Sequence, residues 1–411
     1  MQEWKTYTLK DLSKGKGEYG IGASAIPFDK DKLTYLRITD INDDGTLNKS
    51  GLTSVDAVDV SKYLLEKNDI VFARTGNSTG RSYFYDGSDG PLVYAGFLIR
   101  FRLDDSKVNP RILKYYSHSK PYYDWVQSFD TGGTRGNINA KTYGDMPMTL
   151  PPRHVQDRIV DILYSLDAKI ENNRRINDNL EQQAQALYKS WFIDFEPFND
   201  DEFIDSEQGL IPEGWRVGEL SEICDIVGGG TPSKSRTDYY CQNGIAWLTP
   251  KDLSGSKTKF TAKGAEDITI KGYNSSSAKL MPRGTVLFSS RAPIGYITIA
   301  KNEISTNQGF KSAVPRVAGT GYLYYYLKSN ISTIESKASG STFKEASGSL
   351  MKSLDVLIPP TKILNDFEKE INSLFRKQEL LNDEIITLTT MRDSLLPKLI
   401  SGELKINDLD C

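Results

Sequence analysis

"MTLPPRHVQDRIV", residues 148–160, closes one kind of structure and opens another. A short alternating run ends at two prolines, and a charged run with helical spacing begins at once. Proline lacks the N–H that a sheet ladder needs, yet it suits the first turn of a helix, where the leading N–H groups have no intrahelical partners. The same punctuation returns at residues 356–368, "VLIPPTKILNDFE". The chain therefore reads as strand, double proline and long helix, twice over.

The run after each double proline is periodic. From Ile159 the seam positions are Ile159, Leu163, Leu166, Ile170, Asn173, Asn177, Leu180, Ala184, Leu187, Trp191, in alternating steps of four and three. The second run is Phe367, Ile371, Leu374, Gln378, Leu381, Ile385, Leu388, Arg392, Leu395, Leu399. A heptad pattern sustained this long predicts two long helices packed as a coiled coil. Laid antiparallel at full length, Asn173 and Asn177 come level with Gln378. There they either form a shared polar layer that fixes register or face solvent.

The stretches before each double proline also repeat. "EWKTYTLKDL" (3–12) answers "GWRVGELSEI" (214–223), and "LTYLRITDI" (33–41) answers "IAWLTPKDL" (245–253). "LEKNDIVFARTGNSTGRSYF" (65–84) answers "LMPRGTVLFSSRAPIGYITI" (280–299), and "GGTRGNI" (132–138) answers "SGSTFKEAS" (339–347). Each stretch has strand-like alternation broken by Gly-rich polar turns. The expectation is an α+β protein made of two duplicated α/β domains, joined by two antiparallel coiled-coil helices with pseudo-two-fold symmetry. Its parts are a domain at 1–150, a helix at 151–196, an acidic linker at 197–213, a second domain at 214–358, and a helix with tail at 359–411.

Composition limits the function. The 411 residues are 38% hydrophobic and 26% charged, as in soluble globular proteins. No apolar run approaches the roughly 18 residues needed to span a membrane, and "MQEWKTYTLK" lacks the order of a signal peptide. Three cysteines (Cys224, Cys241, Cys411) and two histidines (His118, His154) leave little for disulfides, zinc or general acid–base catalysis. A cytoplasmic setting is expected. The net charge of −3 hides an uneven distribution. Residues 214–358 hold 18 Lys and Arg against 11 Asp and Glu, whereas residues 193–213 hold eight acids and no base. A basic face on the second domain is compatible with nucleic acid, since the charge that matters is on the contacting surface.

"VGGGTPSKS" (227–235) resembles a phosphate-cradling loop but has Ser233 where the P-loop needs Gly before Lys234, so it reads as a turn between strands. No nucleophile elbow, HExxH helix or methyltransferase-type glycine motif is present. The polar loops within the repeat are the better candidates. They offer Arg74, Asn77, Ser78, Thr79 and Arg81, then Thr134, Arg135 and Asn137, in the first copy. In the second they offer Ser289, Ser290 and Arg291, then Ser341, Thr342 and Lys344, with Lys251 on the stretch answering 33–41. Such side chains bond phosphates and base edges: Arg bidentate to guanine, Asn to adenine, hydroxyls to either.

The segment 150–198, ending "ALYKSWFIDFEPF", resembles the central conserved region of Type I restriction–modification specificity (S) subunits. "RDSLLPKLISGEL" (392–404) is similar to the end of that family's distal conserved region, and "GGTPSKSRTDYYCQNGIAWLTPKDL" (229–253) to the opening of a target recognition domain. In the first domain "YGIGASAIPFD" (19–29) stands in place of that opening. The resemblance implies a non-catalytic subunit, acting in defence against foreign DNA, whose two domains read the halves of a bipartite, asymmetric double-stranded DNA target while the helices act as a ruler. It implies two modification (methyltransferase) subunits and restriction (translocase–nuclease) subunits as partners, with S-adenosylmethionine, ATP and Mg bound by them. Trp191, Phe192, Phe195 and Phe198 are then candidates for a partner interface, part of the cluster packing inward instead. The rival reading is a coiled-coil adaptor whose repeated domains bind protein.

Overall fold

The computed structural model describes residues 4–129, 136–255, 258–340 and 344–404. The chain forms two compact units, Met1–Glu171 with Ile386–Cys411, and Asn172–Ile385. Both dividing points fall inside the long helices, Arg153–Phe192 and Thr361–Ser401, so each unit owns a stretch of both.

Each double proline sits where the sequence placed it. In the first unit, strand Pro147–Leu150 pairs antiparallel with Lys5–Thr8, and Pro151 and Pro152 end the pairing. The carbonyl of Pro152 then accepts from Val155 N at 2.9 Å, opening the helix. In the second, Asp355–Ile358 pairs with Arg216–Glu219, and Pro360 accepts from Ile363 N at 2.9 Å.

The duplicated sequence folds into duplicated topology. The first unit has one sheet ordered Glu18–Tyr19, Leu98–Arg102, Asp69–Ala73, Ser82–Tyr85, and another ordered Ala25–Pro27, Thr53–Val55, Leu33–Leu36, Leu92–Tyr94. The second unit repeats both orders. One sheet runs Cys224–Gly228, Lys311–Pro315, Val286–Phe288, Ile297–Ala300, with Phe260–Thr261 added at its edge. The other runs Tyr240–Cys241, Asp267–Ile268, Ile245–Leu248, Ser305–Thr306. Even the single parallel pairing inside the second sheet is kept, Leu36 beside Tyr94 and Leu248 beside Thr306.

Helices close one side of each unit. Pro110–Tyr116 and Lys120–Gln127 in the first unit answer Thr320–Ser329 and Ile331–Lys337 in the second. The carboxylate of Glu368, on the second long helix, accepts from Gly321 N at 3.1 Å and so caps helix Thr320–Ser329 where its free N–H groups gather.

The predicted seam is the buried stripe of the long helices. Ile159, Leu163, Ile170, Ala184, Phe367, Ile371, Leu381 and Leu399 are all buried. In the second unit the helices lie antiparallel, with Asn173 Nδ2 donating to Glu384 at 2.8 Å and Asn177 Nδ2 to Asn382 at 3.0 Å. Gln378 Nε2 donates to the carbonyl of Asn177 at 3.3 Å. Asn173 and Gln378 are 0% and 4% exposed, which rejects the solvent-facing alternative. Asn173 meets Glu384 rather than Gln378, so the polar layer extends over more than one turn. In the first unit, Arg392 on the seam pairs with Asp167 at 3.1 Å, and Asp167 also binds Lys114 at 2.8 Å.

The acidic stretch expected as a linker is mostly exposed, but it forms a hairpin and buries Phe198 and Ile211. Phe203–Ser206 and Gly209–Pro212 pair as a hairpin around Gly209, whose φ of 96° favours glycine. Its strands, FIDS and GLIP, carry no period-two alternation, so pattern reading had no strand signal to find there.

Candidate nucleic-acid interface

Backbone hydrogen bonds draw the polar loops of each unit together and fix which residues correspond. In the second unit, Ser290 N donates to Gly309 O at 2.7 Å and Ala346 N to Ser290 O at 2.8 Å. In the first, Arg74 N donates to Phe97 O at 3.0 Å and Ile138 N to Arg74 O at 2.9 Å. Arg74 thus occupies the place of Ser290, and Phe97 that of Gly309. By the same test Gly20 N donates to Leu98 O and Gly229 N to Phe310 O, while Ile21 N donates to Tyr94 O and Gly230 N to Thr306 O. "YGI" (19–21) therefore matches "GGG" (228–230), a correspondence the sequences alone do not align.

The glycine-rich stretch was expected as a turn, but Gly228 ends strand Cys224–Gly228. Gly229 and Gly230 run on closely packed against the neighbouring backbone, and the turn comes only at Lys234–Ser235. A Cβ on Gly229 would overlap the carbonyl oxygen of Asn307, whereas one on Gly228 would meet only the far end of Lys311, at 3.9 Å. Gly229→Ala is expected to cost about 1–3 kcal/mol in urea denaturation, because backbone must part. Gly228→Ala should stay within about 0.5 kcal/mol. Equal effects at the two positions would contradict the close approach.

The candidates divide by what they touch. Asn77, Asn137 and Lys251 are exposed, and Lys344, also exposed, donates to the Glu335 carbonyl at 3.4 Å. Ser78 is buried, and Thr79 Oγ1 donates to Gly76 O at 2.8 Å and Gly136 O at 3.0 Å, tying two loops together. Ser289 and Ser290 are 0% exposed. Ser289 Oγ donates to Pro293 O at 2.8 Å, and Ser290 Oγ to Gly309 O at 3.2 Å. Those hydroxyls shape the loop from inside, so as direct DNA contacts they are corrected. Arg81 is held by Asp43 at 2.7 Å and the Ile41 carbonyl at 3.1 Å. Arg291 is half-exposed and paired with Glu345 at 3.0 Å; Glu345 also holds Lys311 at 3.4 Å. Burial alone would raise the Glu345 carboxyl, but these two cations keep it below its ordinary range. Thr134, Arg135, Ser341 and Thr342 lie outside the described residues.

The sequence reading missed Tyr19 and Phe97 in the first unit, and Thr231 and Gln308 in the second, which bond to each other. No local pattern marks them: the similar turns "AGF" and "QGF" are one residue out of register, since Phe97 corresponds to Gly309.

Of the aromatic candidates for a partner interface, two are core and two are half-buried. Phe192 and Phe198 are buried, and Trp191 and Phe195 pack against the same cluster. Phe192 sits 4.8 Å from both Tyr322 and Phe367, and Phe198 5.0 Å from Trp215, centroid to centroid. Inward packing accounts for Phe192 and Phe198, while Trp191 and Phe195 keep part of their surface exposed. Among the described residues no three His, Cys, Asp or Glu side chains converge as metal ligands do, and no helix is long and apolar enough to cross a membrane.

Two copies of one loop-bearing sheet domain, each followed by a long helix, define a duplicated recognition protein. The chain belongs to the family of the Type I restriction modification DNA specificity domain, whose profile matches residues 1–182 and 212–388. It is 25% identical to the Type I restriction enzyme HindI specificity subunit of Haemophilus influenzae, over 98% of this chain and 100% of that one. Over 190 residues, 44% of each chain, it is 35% identical to the MjaIX specificity subunit of Methanocaldococcus jannaschii. The crystal structure of a Type I restriction–modification S subunit from M. genitalium shares the fold, with a TM-score of 0.61 at 16% identity over 97% of this chain and 96% of that one.

Proposed function

We propose that this chain is the DNA-specificity subunit of a Type I restriction–modification complex, each unit reading one half of a bipartite, asymmetric duplex target. The observation that carries the reading is duplicated topology bearing two unlike loop faces: the backbone positions correspond, and the side chains on them differ. In this reading the chain itself is non-catalytic. It scaffolds modification and restriction subunits in the cytoplasm, and S-adenosylmethionine, ATP and Mg act on those partners. The polar faces, with Asn77, Asn137, Lys251, Arg291 and Lys344 exposed, suit phosphate and base-edge contacts better than an apolar protein groove.

Methylome sequencing of cells with and without this gene tests the reading. A methylated motif made of two defined halves around an unspecified spacer is expected to vanish with the gene. An unchanged methylome would overturn it. Binding through phosphates should also weaken steeply between about 50 and 200 mM salt.

A further inference from the structure

The corresponding positions of the two faces carry opposite kinds of residue. Tyr19, Arg74 and Phe97 stand in the first unit where the second has Gly228, Ser290 and Gly309. The second face is bare at these places, and the first carries two rings and a cation.

Arg74 is unlike the other described loop arginines. Arg81 and Arg291 each hold a carboxylate, but among the described residues no carboxylate pairs with Arg74 and no atom accepts from its buried Nε. Its guanidinium lies instead over the Tyr19 ring, 5.0 Å from the centroid. That ring is itself fixed, because the Tyr19 hydroxyl accepts from Ala140 N at 3.1 Å, at the start of helix Ala140–Gly144. Tyr19 is 43% and Phe97 59% exposed, so the group sits at the surface. Stacking on a ring immobilises an arginine without consuming its N–H edge. An arginine so ordered loses little further freedom on binding, and its fork matches the O6 and N7 acceptors of guanine.

We propose that Arg74, oriented by Tyr19, reads a guanine in the major groove of the half-site bound by the first unit, and that the second unit has no equivalent reader at this position. The inference rests on the reading of the chain as a DNA-specificity subunit, and assigns one residue to one base type.

The test uses the full chain, wild type, Arg74→Lys, Arg74→Ala and Tyr19→Leu, with methylome sequencing in cells and competition binding on duplexes varied one base pair at a time. Lysine keeps the charge but not the planar fork. Arg74→Lys is expected to lower the preference for G·C about tenfold to a hundredfold at one position of one half-site. Tyr19→Leu is expected to lower it at the same position. Intact recognition of the other half-site reports that each variant is folded. A uniform loss across all duplexes in Arg74→Ala that Arg74→Lys restores would mark a phosphate contact and overturn the assignment. So would unchanged base preference, or loss in both halves. If the wild-type chain shows no base preference, the DNA-specificity reading itself fails; if it does and Arg74→Lys keeps it, this inference alone fails.

Discussion

Glu181→Ala is expected to destabilise the second unit by about 3–5 kcal/mol, because it strands a buried cation. Lys259 is 9% exposed, with its ammonium 4.3 Å from the Phe375 ring centroid and 5.1 Å from that of Tyr324. It donates to Tyr325 Oη at 2.9 Å and Gln378 Oε1 at 2.8 Å, and pairs with Glu181 on the first long helix. Lys328 holds the same carboxylate at 2.7 Å. Burial pushes the Lys259 ammonium down to about 8, and Glu181 opposes that shift. Without Glu181 the Lys259 ammonium keeps its hydrogen bonds to Tyr325 and Gln378 but has no counter-charge to offset its desolvation. The double variant Lys259→Met/Glu181→Leu should recover most of the loss, since removing both partners leaves no unpaired charge.

The pH dependence has a definite sign. Burial acts to raise the Glu181 carboxyl, but Lys259 and Lys328 together hold it at about 2, below its ordinary 4.5. A carboxylate depressed in the folded state stabilises above its unfolded value and loses that contribution as pH falls. The advantage of wild type over Glu181→Ala is therefore full just above pH 4.5, shrinks as pH falls from 4.5 towards 2, and shrinks again above about 8 as Lys259 loses its charge. Urea denaturation across that range measures it. A loss below about 1 kcal/mol, the range of exposed pairs, or a loss constant through that window, would sink the account.

Phe192→Ala is expected to cost about 3–5 kcal/mol, the range for truncating a buried ring. Tyr322 and Phe367 approach edge-on at 4.8 Å, Tyr188 lies at 5.3 Å, Trp215 at 5.9 Å and Trp191 at 6.2 Å, so five rings lose their neighbour at once. Thermal melting of the full chain measures the loss. Ile193→Ala, one residue on and 56% exposed, should leave the melt unchanged. A Phe192→Ala chain that melts like wild type yet fails to assemble with other subunits would restore the interface role.

The long helices and the duplication were legible in the sequence because both are written in spacing. Heptad period and proline position are local signals, and the seam from Ile159 to Trp191 is buried or half-buried throughout. What spacing does not record is the identity of a distant partner. Lys259 reads as one more solvated lysine in "SKTKF", and its burial depends on Gln378, 119 residues away. The aromatic cluster was ambiguous for the same reason: a helix end crowded with rings looks alike whether Trp215 and Tyr322 or another chain covers it. In the loops, residue type gave chemistry without direction. Ser290 and Arg74 were both polar candidates, and only the hydrogen bonds show one turned inward and the other stacked at the surface.

The core of the first unit joins Ile159 and Leu163 to Leu396, Leu399 and Ile400. Asp167 and Arg392, paired alongside, are separated by 225 residues. At a ribosomal rate of about 5–20 residues per second, that separation is roughly 10–45 s of synthesis. During that interval the first unit has its sheets but not the side chains that finish its interior, while the entire second unit is being made. On the ribosome, therefore, the first unit cannot complete its interior before the second unit has been synthesised.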